Sequence, residues 1–481
     1  MVEISGNSTI SDIVAIASGE AVEISDAVVS SIAKANDDAD ALSRRVPTYG
    51  RTTGVGANRL TGVDSDDDAH ALRLLRSHAV DAGTPLPAPL VRAMLAVRLS
   101  QLSVPGSGVN PEILPGLVAM LNRKALPEIR EFGSIGTADL SALAGTALAL
   151  MGERPTSAPL EPMPTWGVDS ALAFMSSSAL TIGRGCLAVA ELDGLERASS
   201  VVYALSFRAL DGNDSALSAA AAAASGAPGV DDLAARVRSV LESSGSGRDA
   251  ARIQDPYGLR VYAIAQGALR HAVDFLGSQL TRLADTAQEN PLFDFAGDTV
   301  VHHGAFFQGA LALALDGATL ALAQSAPITL SRIRMLNEPE FNGGLPFLAS
   351  GPAGSSGLMM VEYVAASAIA EMRASAQPAS LGTVVLSRGA EDDASFASQG
   401  AVQLERAVAA YRVLLASELV GAVRLLRQRG ITESAPGIIR DALTVTAALP
   451  TDDADRDLRG DIETAGRLLG DLAALVPGGL S

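Results

Sequence analysis

Apolar residues recur at spacings of three and four along much of the chain, which is the signature of helices with one buried face. The clearest run goes from Ala401 to Arg429, where Leu404, Val408, Tyr411, Leu415, Leu419, Ala422 and Leu426 repeat on one side. Arg424, Arg427 and Arg429 fill its last turns, and Gly430 follows where a left-handed cap belongs. The segments 305–323 and 357–376 also read as helices, but they are apolar almost all round. A helix without a polar face must be surrounded, by its own chain or by another copy, and this predicts a central bundle of long helices. The first 60 residues are mixed, with short β-branched stretches such as Ala21-Val22-Glu23-Ile24 and a Gly/Thr-rich loop from Tyr49 to Gly56. Pro/Gly clusters near 83–89, 105–115 and 153–164 punctuate the first third. The pattern therefore suggests an N-terminal mixed and helical domain over 1–200 and a long-helix bundle over 201–481.

Composition narrows this picture. With 481 residues, 48% of them hydrophobic and only 4% aromatic, the core must be packed chiefly by Ala, Leu, Val and Ile. The net charge of −18 argues against nucleic acid or an anionic membrane as partner. Cys186 is the single cysteine, so no intrachain disulfide exists. The opening Met1-Val2-Glu3-Ile4-Ser5 has neither the charge nor the apolar run of a targeting segment, and a cytoplasmic location without a membrane partner is the expectation. The acidic run Asp64-Ser65-Asp66-Asp67-Asp68 reads as a helix cap and first turn, and 243–248 and 478–481 read as flexible.

Chemistry enters through several separated stretches. Tyr49-Gly50-Arg51-Thr52-Thr53-Gly54-Val55-Gly56, Leu74-Leu75-Arg76-Ser77-His78-Ala79, Gln254-Asp255-Pro256-Tyr257-Gly258-Leu259-Arg260, Glu289-Asn290-Pro291-Leu292, Gly344-Leu345-Pro346-Phe347 and Glu391-Asp392 follow one another in a fixed order. Together they resemble the histidine/phenylalanine ammonia-lyases and the related aminomutases. The resemblance implies that family's mainly α fold, a homotetramer and an amino-acid-like substrate. It also implies site residues: Tyr49 as the base taking a β-proton, Tyr257 as a further catalytic residue, Arg260 as the carboxylate clamp, and Gln254, His78, Phe306 and Glu391 as further substrate contacts. Arg260 suits its role because a guanidinium presents a planar fork to a carboxylate. Tyr257, three residues earlier, shares its face if the segment is helical. A phenol titrates near 10, so base duty at Tyr49 requires positive charge or hydrogen bonds nearby.

One departure stands out. The family's Gly-Ser-x-Gly-Ala-Ser-Gly-Asp-Leu, whose Ala-Ser-Gly closes to a methylidene-imidazolone (MIO), corresponds to Gly133-Ser134-Ile135-Gly136-Thr137-Ala138-Asp139-Leu140, one residue short. If the gap precedes the triad, Gly136-Thr137-Ala138 takes the place of Ala-Ser-Gly, with an alanine where glycine best tolerates the turn and a threonine whose extra methyl hinders attack on the electrophilic carbon; if the gap falls inside the triad, no triplet that can close is left. Ser176 stands where the family has an asparagine that contacts the group, and Gly304-Ala305-Phe306-Phe307-Gln308 replaces a Gly-Asn-Phe-His-Gly motif. On these grounds the expectation is that no MIO cofactor forms, and that the chain is a lyase-like enzyme performing elimination, isomerisation or cyclisation by β-proton abstraction. The alternatives are an MIO-dependent ammonia-lyase or aminomutase, and a non-catalytic ligand-binding homologue. His302-His303 lacks a third ligand at a sensible spacing, so no metal site is expected.

Overall fold

The computed structural model describes residues 1–63, 69–163, 166–167, 169–243, 250–431 and 435–479. The acidic run 64–68, all but Ser243 of the 243–248 span, and the last two residues of the tail lie outside them. The chain is mostly helical, with three two-stranded sheets among the described residues. Val2–Ile4 pairs in parallel with Val22–Ile24, Ala82–Pro85 runs antiparallel to Arg130–Phe132, and Leu292–Asp294 antiparallel to Thr299–Val301.

Long helices make the centre. Ala179–Ala209, Tyr262–Ala284, Gly309–Asn337, Met359–Ser375 and Ala397–Gln428 pack side by side. All seven periodic residues of the last helix, from Leu404 to Leu426, are buried. It ends as expected: Gly430 takes φ +67 and its N–H donates to the Arg427 carbonyl at 3.0 Å. The segment expected over 305–323 begins later and runs further, to Asn337, with Pro327 inside it. Proline deletes one backbone donor, and the burial of Leu322, Ala326 and Ile333 on either side outweighs that loss.

A polar knot sits in this apolar centre. Arg332 and Glu418, both fully buried, pair at 2.6 Å, and Glu418 also accepts from Ser206 Oγ at 2.7 Å. The Arg332 guanidinium lies 5.3 and 5.4 Å from the rings of Tyr203 and Tyr262, which stack at 4.0 Å. Four long helices, Ala179–Ala209, Tyr262–Ala284, Gly309–Asn337 and Ala397–Gln428, are thereby held in one register.

The stretch 171–209 and the helix Gly309–Asn337 are long and apolar enough to cross a membrane by length and composition, as core helices often are. The first is largely enclosed. The second leaves Leu313 and Leu320 more than half exposed. The helix Ala179–Ala209 passes continuously through residue 200, where the sequence suggested a domain boundary.

Candidate active site

A cavity of about 730 Å³ opens where the mixed N-terminal region meets the helix ends. Tyr49 reaches it from the turn between Pro47 and Arg51. Its Oη accepts the Gly56 N–H at 2.6 Å, and its own N–H donates to His302 Nε2 at 3.2 Å. Gly56 has φ +55, and a Cβ there would lie 2.6 Å from Ser387 Oγ, so the turn that presents this amide requires glycine. Ser387 Oγ in turn accepts from the Ala57 N–H at 3.0 Å, tying the loop to the segment that carries Glu391.

His78 enters from the last turn of the helix Ala69–His78. Its Nδ1–H donates to the Leu74 carbonyl at 2.8 Å, which fixes the orientation of the ring. Thr137, Ala138, Ser176, Phe306 and Glu391 complete the set of sequence-predicted residues brought together here. Gly136, next to Thr137 in the chain, is buried and does not line the cavity. Sequence reasoning did not single out Leu172, His302, Arg59, Ser387 or Asn290 as lining residues, although Asn290 lay within a quoted motif. His302 is spent on the Tyr49 amide, and His303 Nε2 donates to the Glu289 carbonyl at 2.8 Å.

The floor is stiffened by a residue that no motif announced. Arg98, with no exposed surface, pairs with buried Glu289 at 2.7 Å and donates to the carbonyls of Phe174 (2.8 Å) and Ala173. It therefore fixes the short helix Ala171–Met175, which carries Leu172 and leads to Ser176. Such a pair is strongly destabilising to break once buried.

Burial pushes the Tyr49 phenol up from its usual range, and the charge of Glu391 adds to this, while the Gly56 amide and Arg59 pull it down. As an isolated subunit the chain therefore holds the Tyr49 phenol protonated at neutral pH.

Gln254, Tyr257 and Arg260 are elsewhere. They line a second cavity of about 410 Å³ that shares no lining residue with the first. Tyr257 and Arg260 do share a face of the short helix Tyr257–Arg260, the guanidinium lying 4.7 Å from the ring centroid. Gln254, with its amide oxygen turned towards the guanidinium, accepts from both terminal nitrogens. Among the described residues Arg260 makes no ion pair, and its Nε is buried without a partner. Tyr257 is 63% exposed. This corner can grip a carboxylate, but not one bound beside Tyr49 of the same chain.

The loop 133–140 is folded tightly. Ala138 holds φ +134 and Gly136 φ +92, backbone conformations that non-glycine residues adopt at a cost of about 1–3 kcal/mol. Asp139 anchors the far end: its carboxylate accepts the Thr181 N–H at 2.8 Å and the Thr181 hydroxyl at 3.0 Å.

The sequence profile of the aromatic amino acid lyases matches residues 8–445. A histidine ammonia-lyase of Symbiobacterium thermophilum is 31% identical over 497 aligned positions, covering 99% of this chain and 98% of the relative. The crystal structure of a tyrosine aminomutase from Streptomyces globisporus superposes with a TM-score of 0.91 at 26% identity, covering 98% of each chain. A histidine ammonia-lyase from Trypanosoma cruzi does so with a TM-score of 0.90 at 25% identity, covering 99% of this chain and 96% of that one.

These matches correct the expectation that no prosthetic group is made, because such relatives belong to a family that closes its MIO group from its own chain. The local geometry fits that group. One objection from sequence was a turn that alanine resists; Ala138 already adopts it, and Thr137 puts a hydroxyl-bearing side chain at the cavity wall.

Proposed function

This chain belongs to the aromatic amino acid lyase family, and from that premise we propose that it eliminates or migrates the amino group of an α-amino acid held in the Tyr49 cavity, using a ring closed from Gly136-Thr137-Ala138. It is a carbon–nitrogen lyase. The observation that carries the reading is that Tyr49, His78, Thr137, Ala138 and Glu391 face one cavity of the volume typical for small-molecule sites.

The ring supplies an electrophile that makes an amine leave from an otherwise unactivated carbon. Tyr49 takes the β-proton: Oη is held by the Gly56 N–H, which stabilises the phenolate, and Arg59 adds positive charge. His78 Nε2 and the Glu391 carboxylate offer an acceptor and a charge to the substrate side chain, which favours a polar, imidazole-like ring. Leu140, Leu172 and Phe306 cover its faces and exclude water.

The substrate carboxylate is held by Arg260 of a second copy of the chain, since each subunit keeps its own Arg260 in a different cavity. Leu313, Leu320, Phe275, Met360 and Tyr363, all about half exposed or more on the long helices, supply the apolar faces for that assembly, which we take to be a homotetramer.

The test is to incubate the protein with histidine, phenylalanine and tyrosine and to measure ammonia together with the unsaturated acid. A β-amino acid product would mark the aminomutase course instead. Tyr49→Phe is expected to lower kcat by about 10²–10⁴-fold without changing the circular dichroism. Wild-type turnover in that variant would overturn the assignment.

A further inference from the structure

One contact of the loop 133–140 involves no residue of the cavity lining. Ser395, 3% exposed, donates through Oγ to the Gly136 carbonyl oxygen at 2.8 Å. Ser395 Oγ itself accepts the Ala397 N–H at 3.4 Å, and Ala397 is the first residue of the 32-residue helix Ala397–Gln428. A line of donors therefore runs from a helix N-terminus through a serine hydroxyl onto one carbonyl, each bond polarising the next.

Neighbouring contacts steady the loop without touching that atom: the Phe396 N–H donates to the Ile135 carbonyl at 3.1 Å, and Gln399 Nε2 to the Ser134 carbonyl at 2.9 Å. The approach is also as close as it can be. A Cβ at Gly136 would stand 2.5 Å from Ser395 Oγ and 2.7 Å from the Phe396 nitrogen, so only glycine lets the serine reach its carbonyl.

We propose that Ser395 is the donor that activates the Gly136 carbonyl when Gly136-Thr137-Ala138 closes on itself, an inference that rests on the ring assigned above. The Ala138 nitrogen attacks the Gly136 carbonyl carbon and forms the new C–N bond. The displaced electron pair settles on the Gly136 oxygen, where the Ser395 hydroxyl meets it. That oxygen takes the Ala138 amide proton and leaves as water with the Thr137 amide proton, giving a C=N bond to the Thr137 nitrogen. A second water carries off the Thr137 hydroxyl with the hydrogen of its Cα. No oxidant or reductant is needed, and the exocyclic carbon keeps the threonine methyl.

A serine that merely ties the loop to the helix would affect folding and leave closure untouched. The full chain, Ser395→Ala and the near-isosteric Ser395→Cys are made by cell-free synthesis. The mass of the peptide spanning 136–138 is then followed with time, alongside circular dichroism. The wild-type peptide is expected to become two waters lighter, Ser395→Ala to close about 100-fold more slowly in a folded chain, and Ser395→Cys to fall between them. Closure at the wild-type rate in either variant would overturn the role of Ser395 while leaving the ring intact. A wild-type peptide of full mass would remove the ring, and this inference with it.

Discussion

Tyr49 stands between opposing fields. Burial and the nearby Glu391 carboxylate favour the neutral phenol, whereas the Gly56 amide and Arg59 favour the phenolate. In the proposed role Tyr49 works only when deprotonated, so activity is expected to rise with pH through its titration. Removing a negative neighbour lowers that titration point: in Glu391→Gln the ascending limb of the kcat/KM profile is expected to move to lower pH, whatever happens to the maximum. A limb that moves upwards or stays put would show that Glu391 does not sense the phenol. Tyr49, His78, Phe306 and Glu391 were legible in the sequence because each belongs to a short local motif. Arg98 and Ser395 were not. Arg98 meets Glu289 across 191 residues and Ser395 meets Gly136 across 259, so nothing local marks either pair.

Among the elements, the Tyr49–Gly56 loop carries the finest tolerance. The amide that steadies the phenol belongs to a residue at φ +55 pressed against Ser387. Gly56→Ala is expected to shift that amide and lower kcat/KM by about 10²-fold, with thermal stability changed far less than activity. A variant with wild-type kinetics would mean that the amide does not position Tyr49. The long helices were readable where their apolar period was unbroken, as in Ala397–Gln428. They were underestimated where a proline interrupted the pattern, as at Pro327. Packing on neighbouring helices decided that case, and packing is not a local property. A turn that suits glycine was legible at Ala138, but its adoption by alanine was not, because that φ is imposed by contacts at both ends of the loop.

For the whole molecule, the separation of Tyr49 from Arg260 has the largest consequence. If one copy supplies the base and another the carboxylate clamp, two broken chains can mend each other. Tyr49→Phe and Arg260→Ala should each be nearly inactive alone. Co-expressed or reassembled together, they are expected to recover a measurable fraction of wild-type activity, because some sites draw both intact residues from different subunits. Absence of recovery at every mixing ratio, with hetero-oligomers demonstrated, would place both groups in one chain's site and refute the composite cavity. The order of the six motifs indicated the fold, yet it could not show which of them share a cavity within a single subunit, since that depends on how copies meet.

The fit at Gly136 has a consequence for transplanting parts between relatives. Restoring alanine there by itself would drive a methyl group into the Ser395 oxygen and the start of the longest helix. The shortened loop and the residues 395–397 thus form a matched set, and a chimera that imports one without the other inherits a collision in place of a working hinge of chemistry.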